Sequence, residues 1–160
     1  MPGSVRPLRA ALIAAAAGWL AIDVYLTVVH VILGDGPYVL FQWDASNLIG
    51  RVAFSQGLRA VGLGLALDYI VSFVWAALCL VAMQRSATAA RHPIVFGALF
   101  GAVVMGVMLF LVVPLGHAPR PHFTPWSFLN TLVAHTIFFG IPVAWVLTLT
   151  TTGARERRSA

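Results

Sequence analysis

Lysine is absent from this chain of 160 residues, and acid is scarce: the ten basic residues are all Arg, against five acids. Charged residues make up 9% of the chain, where soluble domains carry about 25%. A soluble enzyme is therefore excluded on composition. A nucleic-acid binder would gather its positive charge on a soluble face. Here the Arg residues sit at the ends of apolar runs, so no nucleic-acid partner is expected. Cysteine is nearly absent too. Cys79 stands alone, which rules out an internal disulfide and CxxC-type dithiol chemistry within this chain.

What fills the chain instead is apolar. Hydrophobic residues reach 60% and the mean hydropathy is +0.90. Four apolar runs, about 10–33, 60–83, 93–114 and 126–150, can each cross ~30 Å of hydrocarbon as a helix of about 20 residues. None alternates polar with apolar as a barrel strand would. The expectation is a single all-α domain, an integral membrane bundle of four transmembrane helices. Gly34-Asp35-Gly36-Pro37 ends the first run with turn formers. Pro93 suits the first turn of the third helix. Pro114, Pro119, Pro121 and Pro125 are expected to make the third connection non-helical.

Arg counting sets the orientation. With the N-terminus inside, Arg6, Arg9, Arg85, Arg91, Arg155, Arg157 and Arg158 are cytoplasmic, and only Arg51, Arg59 and Arg120 are outside. The positive-inside rule thus favours two cytoplasmic termini in a bacterial inner membrane. Tyr38, Phe41, Trp43, Phe123 and Trp126 fall where an outer aromatic belt belongs. Arg155-Glu156-Arg157-Arg158 reads as a headgroup anchor. A cleaved signal peptide is the competing reading of the first run, but its roughly 24 apolar residues exceed the usual 7–15 of such a segment. Segment 38–57 reads as a re-entrant or interfacial lid on the outer mouth, with Asp44 capping a short helix from Ala45.

Ionisable groups inside the bilayer are expensive and mark function by default. At 1.5 Å per residue, Asp23, Asp68 and His135 lie within roughly 5 Å of one another in depth. Asp23, Thr27 and His30 share one stripe of the first helix, extended inward by Trp19. Gly57, Gly64, Asp68, Ser72, Trp75 and Cys79 share one stripe of the second. Thr131 and His135 are one turn apart in the fourth, where Pro142 frees the Phe138 carbonyl. The three stripes are expected to turn inward as one polar cluster around an outward-open cavity. Trp19, Thr27, His30, Ser72 and Thr131 are its secondary members. Packing glue is the preferred reading of Thr27, Ser72 and Thr131.

Asp23, Asp68, His135 and His30 could also ligate a divalent metal, but no close pair such as HxxxH supports it, and no cofactor is expected. A bis-His haem is disfavoured by the different depths of His30 and His135. His117 and His122, on a Pro-rich loop, read as part of a stiff connector rather than a metal site. Ala14 with Gly18, and Gly97 with Gly101, carry small-xxx-small spacing for close helix contact, within the chain or in a homo-oligomer. Met105, Met108 and Cys79 read as core filler.

Several short stretches resemble a known group. Asp44-Ala45-Ser46-Asn47-Leu48-Ile49-Gly50, Ala53-Phe54-Ser55-Gln56-Gly57 and Leu63-Gly64-Leu65-Ala66-Leu67 are among them. Val112-Val113-Pro114-Leu115 and His135 followed by Phe139-Gly140-Ile141-Pro142 complete the set. Together they look like small four-helix bacterial inner-membrane proteins of unknown function, loosely YagU-like. The likeness runs from about Trp43 to Pro142. It implies His at the position of Asp68 in many relatives, so this chain departs there while keeping a polar group. It implies fold and location and carries no activity. Three functions follow as expectations. The first is small-ligand, ion or proton binding or transport through the cluster. The second is a structural or accessory subunit of a larger membrane complex. The third, a metal or haem redox protein, ranks last.

Overall fold

The computed structural model describes residues 5–120 and 124–159, with side chains described for residues 7–120 and 124–151. Arg6, Pro121, His122, Phe123, Arg155, Glu156, Arg157 and Arg158, to which topology, connector, belt or anchor roles fall, lie outside that set of described side chains.

Every regular element among the described residues is helical. Helix α1 spans Val5–Ile32, α2 spans Val39–Ile49, and a 3₁₀ turn follows over Gly50–Ser55. Helix α3 spans Leu58–Arg85 and α4 is the short Ala87–Arg91. The third long helix is composite: α5 Pro93–Val107, a π segment Met108–Val112, and α6 Val113–Leu115. So is the fourth: α7 Pro125–Val133, a π segment Ala134–Gly140, and α8 Ile141–Ser159. Four helices are long and apolar enough to cross a membrane: Pro7–Ile32, Leu58–Arg85, Pro93–Leu115 and Pro125–Thr151. Each turns large apolar side chains outward. On α1 these include Leu20, Val24, Val28 and Ile32, a stripe at one-turn spacing. Such faces suit lipid as solvent.

Local chemistry sets the ends. Ser86 caps α4, its Oγ accepting from the Ala89 N–H at 3.2 Å. Thr124 and Ser127 form a reciprocal capping box ahead of Pro125. Gly50 and Gly57 take φ of +69° and +54°, a backbone that other residues rarely adopt, and so bracket the 3₁₀ turn with sharp bends.

Two sequence expectations are corrected here. Asp44 does not cap a helix from Ala45: it lies mid-way along α2, whose N-cap position is Tyr38 with no side-chain bond. The helix starts earlier because the turn at Gly34–Pro37 already redirects the chain. Pro114 does not end the third helix, which runs on through Leu115. The preceding π segment widens the turn and lets the proline, with no N–H to offer, sit inside a continuing helix. A π segment also precedes Pro142, so the simple picture of a freed Phe138 carbonyl in an α ladder is replaced by a shifted register.

Packing runs as a chain of contacts. Helix α1 lies between α3 on one side and the fourth helix on the other, while α5 packs against the fourth helix. Helix α2 lies along α3. The small residues make the close approaches. A side chain on Gly97 would meet the Gly140 carbonyl oxygen at 2.6 Å, and one on Gly101 would strike the His135 carbonyl. Gly18 lies against Val143 and Phe139, and Ala14 is fully buried. The small-residue motifs thus serve contacts within this chain. The main core is small-sided, with Ala10, Ala14, Ala76 and Ala144 around Val143, Phe139 and Leu147.

Candidate functional site

The site forms where α1, α2 and α3 meet. Helix α2 comes down on α3 at Gly64, where any side chain would collide with the Phe41 carbonyl. Ala45, Ala53 and Ala60 close a second small core beside this contact. The far side of α2 is clasped by the start of the third connection. The His117 N–H donates to the Asn47 carbonyl at 3.0 Å, and Gly116 packs on the Asn47 side chain. Helix α2 is therefore fixed as a lid over the C-terminal part of α1 and the N-terminal part of α3.

Under it lie three carboxyls from three helices. Asp23 is buried, 6% exposed. Its carboxyl lies within electrostatic reach of that of Asp68 on α3. Asp44 on α2 lies within electrostatic reach of both. Burial, and then the charge of Asp68, pushes the Asp44 carboxyl well above its ordinary 3.8. No cation among the described residues pairs with any of these three. The ion pair recorded there joins His30 to Asp35 at 2.8 Å on the exposed turn.

Two of the buried polar atoms without a partner belong to α1 beside this region, and a third lies on the far side of α2. Among the described residues, the buried atoms with no hydrogen-bond partner are Trp19 Nε1, Asp23 Oδ2 and Asn47 Oδ1. Trp19 and Asp23 are one turn apart and so share a face of α1. The Trp19 ring stands edge-on to Tyr69, centroids 5.4 Å apart. Ser72, one turn past Asp68, is 3% exposed.

The other sequence candidates are placed differently. The His135 ring bonds within its own helix, Nδ1 to the Thr131 carbonyl at 2.9 Å. No contact with Asp23 or Asp68 is recorded for it. Thr131 itself donates to the Ser127 carbonyl at 2.9 Å, and Thr27 is half-buried on α1. His30 bonds outward to Asp35. Cys79 is fully buried in the main core. Among the described residues, no three His, Cys, Asp or Glu side chains lie close enough together to hold a metal ion.

Sequence reasoning missed Asp44, because an Asp ahead of Ala-Ser-Asn looks like a helix cap. Gly64, one turn before Asp68, was the available signal that another backbone approaches α3 there. It also missed Asn130, whose Oδ1 accepts from the Tyr25 hydroxyl at 2.6 Å and ties α1 to the fourth helix. The Tyr25 ring stacks on Phe138 with centroids 4.1 Å apart.

Compared with protein-family models, with curated proteins and with solved structures, the chain matches none.

Proposed function

We propose that this is a multi-pass protein of a bacterial inner membrane, both termini cytoplasmic, that takes up and releases a proton at the Asp23–Asp68 pair beneath α2. The observation that carries the reading is the juxtaposition of the Asp23 and Asp68 carboxyls, on two of the long apolar helices, with the Asp44 carboxyl in electrostatic reach and no cation among the described residues paired to them. Relay residues in membranes are of this kind: costly acids that face the protein interior and hold a proton that can move. The unused Trp19 N–H and Asp23 Oδ2 provide further hydrogen-bonding capacity beside the pair. The excess of Arg at the Ser86–His92 end supports the orientation.

The test is a proton measurement. In liposomes with a trapped pH dye, the wild-type chain should dissipate an imposed pH gradient faster than Asp68→Asn. Infrared difference spectra across a pH step should show a carboxylic-acid band that both Asp23→Asn and Asp68→Asn remove. Equal dissipation rates together with an unchanged band would overturn proton exchange. The pair would then be packing glue between α1 and α3, as in a structural subunit.

A further inference from the structure

The opposite end of the molecule carries a second feature, unrelated to the acids. Gln84 is sixteen residues beyond Asp68, about 24 Å along α3 at the helical rise. Here the end of α3, the middle of α8 and the short α4 line an open-mouthed cavity of about 600 Å³. That is within the 300–1,000 Å³ range of small-molecule sites.

Its lining is divided by chemistry. Leu80, Met83 and Leu147 are buried and apolar. Gln84 and Arg91 are exposed and form its polar rim with Thr151. No carboxylate among the described side chains pairs with Arg91. The Thr151 hydroxyl donates to the Leu147 carbonyl at 2.7 Å. Its oxygen is left to accept, which suits a hydroxyl-bearing head. An apolar floor under a cationic, hydrogen-bonding rim matches an anionic amphiphile. A basic pocket between transmembrane helices at the Arg-rich face is where phosphate headgroups bind.

We infer that this cavity binds a phosphate group at Arg91, in the form of an anionic phospholipid whose apolar part rests on Leu80, Met83 and Leu147. The phosphate is held by a charge-assisted hydrogen bond from the guanidinium. The site requires only that this end of the bundle meets the membrane surface, so it stands or falls apart from the proton reading.

The test uses the full chain, delipidated in neutral detergent, with three probes: phosphatidylglycerol, phosphatidylcholine and inorganic phosphate. Phosphatidylglycerol should raise the unfolding temperature and bind at least several-fold tighter than phosphatidylcholine. Arg91→Gln should weaken it roughly fivefold, the effect of one cation at the membrane surface. Ala87→Trp, at the exposed rim, should block the mouth and abolish binding without unfolding the chain. Stabilisation by inorganic phosphate that Arg91→Gln removes would keep the phosphate site and assign it to a free phosphate. Equal binding of the two lipids, or an Arg91→Gln protein that binds like wild type, would overturn the site.

Discussion

The two faces of α1 solve the same problem in opposite ways. Lipid offers no hydrophobic drive between helices, so contacts rest on close packing or on hydrogen bonds. Toward the fourth helix, α1 uses small residues and apolar fit, and α5 adds backbone contacts at Gly97, Gly101 and Gly140. Toward α3 and α2 it presents Asp23 to Asp68 and Asp44. The first interface is built mostly from small and apolar side chains. The second holds protonatable groups under a lid bent at Gly50 and Gly57. Close packing of small residues is concentrated on one side, and carboxyl groups on the other.

The comparison breaks most sharply at Gly101. A valine there must displace the His135 backbone, which cannot yield as a flexible side chain would. Gly101→Val should lose about 3 kcal/mol or more, read as thermal unfolding in detergent. Gly106, in the same helix, meets nothing within 4 Å, so Gly106→Ala should be neutral or slightly stabilising. If both behave alike, the glycine interface is not the close-packed side.

Gly64→Ala probes the lid with a smaller effect, about 1–3 kcal/mol. The new methyl collides with the Phe41 carbonyl and should lift α2 while the four long helices stay packed. Proteolysis near 50–57 should then accelerate with little change in the global midpoint. A global collapse instead would mean that α2 belongs to the close-packed side.

Asp44→Asn sharpens the electrostatic contrast. The native Asp44 carboxyl is raised, by burial and then by Asp68, above its ordinary 3.8. The folded state therefore prefers it protonated. Its contribution is complete below pH 3.8 and is lost as pH rises toward the elevated native value. The amide cannot ionise. The variant should gain on wild type steadily as pH increases above that point, measured as the difference in unfolding midpoint across a pH series. The Asp23–Asp68 pair is present in both proteins, so its direct effect largely cancels. A difference that stays flat with pH would place Asp44 in ordinary solvent.

How much of this was legible beforehand follows from what hydropathy and period can carry. Four long apolar helices are visible because burial in lipid needs length and little else. Depth counting sets Asp23 and Asp68 level, and their carboxyls lie within electrostatic reach of each other. It sets His135 level too, yet that ring turns to the Thr131 carbonyl of its own helix. The π segment shifts the register there, and a 3.6-residue wheel cannot register it. Asp44 was hidden for another reason: its role depends on a lid folding back over α3, a long-range contact with no local periodicity.

The smallest effect tests whether the small-residue side is wholly apolar. Tyr25 stacks on Phe138 and donates to Asn130 Oδ1 at 2.6 Å, the one hydrogen bond recorded between the side chains of α1 and the fourth helix among the described residues. Interhelical bonds in membranes average about 0.6 kcal/mol. Tyr25→Phe keeps the stacked ring and removes only the hydroxyl, so a loss near that value is expected, and Asn130→Ala should add little on top of it. A double-mutant cycle reads this coupling directly. A coupling of about 0.6 kcal/mol would mean that this interface is held by shape with a single polar tie. A coupling several times larger would mean that the α1 interface with the fourth helix also depends on polarity, and the contrast between the two faces of α1 would dissolve.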